Sequence, residues 1–475
     1  MIINNKGILL HFTSLYEKNH RGSLSKEAYN FIDFLVTHQF SYWQILPTSP
    51  TIFGNSPYMS SCSFAGDEDL IDIAYFEGNL LTKEEVFAYY NDSKMQKLDL
   101  LRLAYSRFND IKSDYISFVN KNYYWLHDYA LFRTLKKVKN YNIITEFDEE
   151  YKKRINLFTF EKENFTEVCF WYFCQYIFDF QIKKIRDYAN FKGIKIIGDM
   201  PIYVAHDSSD VWGNKDNFIL NDDFIPASVA GVPPDYFSKD GQLWGNPLYN
   251  WNYLKCTNFD FLVKRINRTL EYVDILRIDH FIGFYRYYAI PYEMKPVDGI
   301  YFNAPYSDFF LAIKGLLDSK KLIAEDLGAL TEEVDTAIES LGIPRMKVFE
   351  FVLEDERETN PYRDYPNYVC YSGTHDNNTL YGWLSSKKKK EIERIKKLTG
   401  SIQNGVGLSK DILKKIYYIN TYLTIFPIQD LLFQNTKYRM NIPGTLNITN
   451  WAYQLKENGL IELSKNVTEL FLTKN

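Results

Sequence analysis

The sequence predicts an α/β fold, a (β/α)8 TIM barrel enlarged by mainly helical insertions. Two observations carry that reading: eight short apolar runs bounded by turn signals, and amphipathic helical patterns between several of them. Strands that alternate with helices build parallel sheets, and eight of them suit a closed barrel better than an open sheet.

In chain order the runs are 7–12 (GILLHF), 42–47 (YWQILP), 194–199 (IKIIGD), 274–279 (DILRID), 321–326 (KLIAED), 345–351 (RMKVFEF), 367–373 (NYVCYSG) and 425–431 (IFPIQDL). Helical periodicity is clear at 25–38, where Ser25 can cap and Ala28, Phe31, Ile32 and Leu35 share a face. A second helix is expected at 307–317, carrying Phe309, Phe310, Ile313 and Leu317. The lysine-rich run 387–397 sits on a helical pattern and reads as a solvated face.

Two gaps, 48–193 and 200–273, are too long for a simple crossover. The first is helical by pattern, which predicts an insertion subdomain at 66–190. The second, an insertion at 200–273, is rich in Gly, Pro and Asn, which suits a lid or binding loop, placed at 233–241. The whole chain, 1–475, then reads as a single catalytic barrel with insertions.

A net charge of −5 and a pI near 5.9 provide no basic field for a phosphate backbone or an anionic membrane, so no nucleic acid and no membrane are expected as partners. Five cysteines without C-x-x-C spacing read as reduced core thiols. The N-terminal apolar run is too short for a signal peptide and no run of 18 apolar residues occurs, so the expected location is cytoplasmic. Nucleotide loops, H-E-x-x-H and EF-hand spacings are absent, and neither a cofactor nor a metal is expected. The 38 Tyr and 35 Phe suit sugar rings, although a general compositional bias explains most of that abundance.

The polar residues share an address. Asp199 ends the third run, Asp279 the fourth after Arg277, Glu325 the fifth, and His375 with Asp376 follows the seventh. In a β/α barrel those ends surround one site. Carboxylates with an Arg and a His, and no Ser or Cys in a nucleophile elbow, suit glycosidic bonds: a retaining reaction needs one carboxylate as nucleophile and one carboxylic acid as proton donor. Each residue also has a plain structural reading, Arg277 with Asp279 as an ion pair, Glu325 beside Asp326 as strand-end solvation, His375 as a satisfied core histidine.

At these residues the chain resembles a family. LRIDHFIGF, LIAEDLG and SGTHDNNT resemble motifs of the 4-α-glucanotransferases (amylomaltases, or disproportionating enzymes), relatives of the α-amylases. The stretches 43–73, 198–212, 230–251 and 439–455 extend the likeness over nearly the whole chain. The resemblance implies that Asp279 is the nucleophile, Glu325 the general acid/base and Asp376 the third carboxylate, which engages sugar hydroxyls in the transition state. It implies that Tyr58, Asp199 and His375 grip the sugar at the cleaved position, that Ser56, Gln242 and Trp244 contact neighbouring sugars, and that Tyr236 and Phe237 belong to a mobile loop over the cleft. Arg277 would hold Asp279 ionised.

The substrates implied are maltooligosaccharides and α-1,4-glucans, and the protein is expected to be a monomer or a homodimer. After LLHFTSL the family's Gly-rich GIGDLG gives way to YEKNHRGSLSKEAY. No C-terminal β-sandwich domain is expected after 455. An α-glucan hydrolase, or an idle sugar-binding protein on the same barrel, remain the alternatives at this point.

Overall fold

The computed structural model describes residues 5–234, 239–328 and 330–472. Twelve strands are present among them: β1 (Lys6–Leu9), β2 (Tyr42–Gln44), β3 (Lys195–Pro201), β4 (Ser228–Val232), β5 (Gln242–Pro247), β6 (Ile275–Asp279), β7 (Arg286–Pro291), β8 (Ile300–Asn303), β9 (Leu322–Ala324), β10 (Arg345–Val348), β11 (Tyr365–Tyr371) and β12 (Thr421–Pro427). Eight of them form one sheet in the order β10-β11-β12-β1-β2-β3-β6-β9. Every pairing within it is parallel. These strands are buried on both faces, as Ile196, Ile197, Leu276, Ile278, Val369 and Ile425 show, so continuous apolar runs rather than alternating ones specify them.

The seam between β9 and β10 closes the barrel by other means. The Ala324 N–H donates to the Pro344 carbonyl at 3.0 Å, and Asp326, just past β9, accepts from the Met346 N–H at 3.0 Å and from Arg345 Nε at 2.5 Å. Asp326 is therefore a buried clasp and not a solvated strand end.

Each of the eight expected runs overlaps a barrel strand, with shifted ends. The last runs over Thr421–Pro427, and its expected second half is a helical turn, Ile428–Leu431. The expected strand 345–351 stops at Val348, where the helix Phe349–Glu354 begins. The expected helix 307–317 is two pieces, Tyr306–Ala312 and Lys314–Asp318, with a break at buried Ile313 just before the poor helix former Gly315. Ser25 occupies the N-cap of Lys26–Thr37, but its hydroxyl is buried without a partner, and its carbonyl instead accepts from the Ala28 N–H. Cys62, Cys169, Cys174 and Cys370 are buried thiols, whereas Cys256 is exposed and so departs from the core reading.

Between β2 and β3 the long helices Ser113–Lys139 and Phe165–Phe191 pack on each other, and the second of them packs on β3 of the barrel. A second sheet, antiparallel in the order β5-β4-β7-β8, has no counterpart in the expectations from sequence. Its strands come from the chain on either side of β6 and stand beside the cleft at the barrel's C-terminal end. Among the described residues no helix is long and apolar enough to cross a membrane.

Candidate active site

The floor of the cleft is built by register. Parallel pairing of β3 with β6 sets Asp199 opposite Arg277 and Pro201 opposite Asp279. Arg277, buried with its Nε on the Met346 sulfur at 3.3 Å, gives Nη1 to both oxygens of Asp199 (2.8 and 2.7 Å) and Nη2 to Asp279 Oδ1 (2.9 Å). Tyr58 completes the set, its hydroxyl donating to Asp199 Oδ2 at 2.7 Å. The Asp199 side chain is wholly buried, whereas that of Asp279 keeps 30% of its surface open to the cleft.

Glu325 follows β9 and is bonded to the end of β6. Its Oε2 accepts from the His280 N–H at 2.6 Å and its Oε1 from the Leu327 N–H at 3.0 Å. The turn that aims the His280 N–H is left-handed (φ +52°), rare for a residue with a side chain, and the Phe281 N–H closes it on the Glu325 carbonyl at 2.9 Å. One peptide group therefore joins Asp279 to the carboxyl of Glu325.

Asp376 lies on the loop after β11. Asn441 Nδ2 donates to its Oδ1 at 2.6 Å, His375 Nε2 stands 3.4 Å from its Oδ2, and Arg439 Nη2 donates to its carbonyl at 2.5 Å. The His375 ring stacks on Tyr58 with centroids 5.1 Å apart, and Trp451 packs on both rings at 5.6 and 5.8 Å. On the opposite side β5 presents Trp244, edge-on to His280 at 4.8 Å, with its indole N–H on Gln242 Oε1 at 3.1 Å. Half-buried Ser56 sits in the turn before Tyr58, its carbonyl accepting from the Met59 N–H. Tyr236 and Phe237 lie outside the described residues.

The three carboxyl groups are held at different proton affinities. Burial pushes Glu325 up to about 8, and the Asp279 charge adds to it, against Arg277 and the two N–H donors. Burial also lifts Asp279, but the Arg277 guanidinium limits the rise to about 6. Asp376 resists its burial and falls to about 2 because His375 and Asn441 stabilise its charge. The imidazole of His375 is raised in return, its burial outweighed by Asp376. Groups spread in this way can supply a carboxylic acid, a nucleophile and a permanent anion at one pH.

Sequence reasoning missed Trp451, Asn441, Arg439 and the backbone of His280. Trp451 adopts a left-handed φ of +61°, and nothing local in its sequence marks it as a wall of the cleft. Among the described residues no group of three or more His, Cys, Asp or Glu could hold a metal ion.

The family described as 4-alpha-glucanotransferase matches residues 10–460. The chain is 38% identical over 473 residues to a 4-alpha-glucanotransferase of Clostridium butyricum, covering 94% of this chain and 96% of the relative. It is 37% identical over 473 residues to one from Aquifex aeolicus (strain VF5), covering 95% of each. Among solved structures it is similar to the amylomaltase from Streptococcus agalactiae in complex with acarbose, with a TM-score of 0.91, 33% identity, and coverage of 99% of this chain and 100% of that one. The amylomaltase from Corynebacterium glutamicum shares the fold, with a TM-score of 0.80 at 16% identity, covering 98% of this chain and 75% of that one. Given a match over most of its length and relatives of this similarity, the chain belongs to the 4-alpha-glucanotransferase family of enzymes.

Proposed function

We propose that the protein transfers a segment of an α-1,4-glucan to the 4-hydroxyl of an acceptor glucose or glucan, with retention, through a glucosyl ester on Asp279. Glu325 gives its proton to the glycosidic oxygen as the Asp279 carboxylate attacks the anomeric carbon, and the shortened glucan leaves as an alcohol. Glu325, now ionised, takes the proton of the acceptor hydroxyl as that oxygen attacks the same carbon and displaces Asp279. Asp376 binds sugar hydroxyls more tightly as the ring gains positive charge.

The observation that carries this reading is the His280 N–H between the two groups. It fixes the acid against the end of the nucleophile's strand before substrate arrives. Arg277 keeps Asp279 anionic and His375 keeps Asp376 so.

The substrates are maltooligosaccharides and α-1,4-glucans. Tyr58, Asp199 and His375 are assigned to the sugar at the cleaved bond, Asp199 acting through Tyr58, while Ser56, Gln242 and Trp244 are assigned to its neighbours. Tyr236 and Phe237 take the acceptor side on family resemblance alone. The segments 66–190 and 200–273 are taken as insertions on a single catalytic barrel, acting as a cytoplasmic monomer or homodimer.

Incubation with maltotriose tests the reaction: transfer yields glucose and a ladder of longer maltosaccharides. Only shorter products would make the protein a hydrolase, and none a binding protein.

A further inference from the structure

Two buried carboxyl groups lie behind the segment that carries His375 and Asp376. Asp430 holds its ends, Oδ2 accepting from the Ser372 hydroxyl at 2.6 Å and Oδ1 from the Leu380 N–H at 2.7 Å. Glu350, on the helix that follows β10, reaches its middle: Oε2 accepts from Asn377 Nδ2 at 3.2 Å. Asn377 Oδ1 in turn accepts from both the N–H (3.0 Å) and the hydroxyl (2.8 Å) of Thr374, whose hydroxyl oxygen accepts from the Asp376 N–H at 3.2 Å. A continuous path of hydrogen bonds therefore runs from Glu350 to the backbone of Asp376.

The other oxygen of Glu350, Oε1, is buried with no hydrogen-bond partner. It sits so close to Gly373 that a Cβ there would meet it at 3.3 Å. An ionised carboxylate would leave a charged oxygen bare in this position, at far greater cost than a neutral acid. The surroundings act in the same direction. Burial first, then the charges of Asp430 and Glu354, lift Glu350 well above the usual carboxyl range, opposed by the Asn377 amide and the Arg439 guanidinium. Glu354 is itself engaged by Lys387 and the Trp383 indole.

We propose that Glu350 is a positioning residue for glucan transfer: as an uncharged carboxylic acid it fixes Asn377 and, through Thr374, the placement of Asp376, without touching substrate. The proposal rests on the assignment of Asp376 to the reaction. A glutamine carbonyl accepts the same hydrogen bond from Asn377 and carries no charge. Alanine offers neither the bond nor the volume.

Steady-state kinetics of Glu350→Gln, Glu350→Ala, Asp376→Asn and the Glu350→Ala/Asp376→Asn pair test it. Glu350→Gln stays within about three-fold of the parent, whereas Glu350→Ala lowers kcat by about 10–100-fold with KM within about two-fold. The loss is equal on maltotriose and on a glycosyl fluoride, because Asp376 acts whatever the leaving group. The double variant is no worse than Asp376→Asn alone, the sign of two residues working through one contact. Asn377→Ala shows the same pattern and replaces Glu350→Ala if that variant does not fold.

A Glu350→Gln as damaged as Glu350→Ala overturns the proposal, as do losses that multiply in the double variant. Parent-like kcat in both Glu350→Ala and Asn377→Ala beside a crippled Asp376→Asn overturns this proposal alone. A fully active Asp376→Asn overturns the role of Asp376 and this proposal with it.

Discussion

Arg268 and Arg277 are both buried and both paired with two carboxylates, yet one closes a wall and the other opens a site. Arg268 reaches Asp179 at 2.6 Å and Glu271 at 2.7 Å and gives Nε to the Phe64 carbonyl, with the rings of Trp125 and Tyr272 alongside. Its partners are also taken by lysines, Asp179 by Lys183 and Glu271 by Lys121 and Lys183. Arg277 saturates Asp199 in the same way but gives Asp279 a single hydrogen bond. Among the described residues, the other oxygen of Asp279 accepts no side-chain hydrogen bond and is left for the cleft. Charge type and burial do not separate these two arginine networks. The number of lone pairs left unsatisfied does.

Substitutions can break this comparison. Asp279→Asn should cost on the order of 10⁴-fold in transfer while leaving the melting temperature nearly unchanged, because the residue contributes little to the paired network. A melting temperature that collapsed with activity would make Asp279 structural, like Asp179. Arg268→Met should do the reverse, losing about 3 kcal/mol in a denaturant titration with kcat of the folded enzyme unchanged. That figure lies at the low end for a broken buried pair because Lys183 and Lys121 still neutralise the carboxylates.

Two further measurements sharpen the catalytic side. Glu325→Gln should lower activity on maltosaccharides by about 10²–10³-fold yet largely spare first-step cleavage of a glycosyl fluoride, which needs no proton. Equal losses on both donors would remove Glu325 from the acid role. The pH profile should be bell-shaped, since the proposed roles need Asp279 ionised and Glu325 protonated: activity on maltotriose should fall below about 6 and above about 8. With the fluoride as donor and Glu325→Gln as enzyme the alkaline limb should vanish. Its persistence would assign that limb to another group.

The barrel was legible because parallel strands covered on both faces must be apolar throughout, and runs such as IKIIGD have few other uses. The second sheet was not. Ile300–Asn303 is exposed at every position, and β7 (RYYAIP) mixes aromatics with Arg286, so neither shows a two-residue alternation of apolar and polar. Asp279 stood out as a charge placed where a strand should be apolar, Glu325 as a charge at the end of another expected run, and Asp376 as one just past the end of a third. Arg277 holding Asp199 more fully than Asp279 was not, because strand register decides it. Trp451 reaches His375 only through the folded chain, which no local pattern encodes.

The barrel's seam has a mechanical consequence. Among the described residues, β9 is laced to β6 through a regular ladder but to β10 only through the Ala324 amide and the Asp326 clasp. Thermal breathing of the cylinder is therefore expected on the β10 side, where the stitching is sparse. Glu325, just past β9, is tied through the His280 and Phe281 amides to the stave that carries Asp279, so flexing of the cask at the β10 seam would leave the spacing of these two carboxyl groups unchanged.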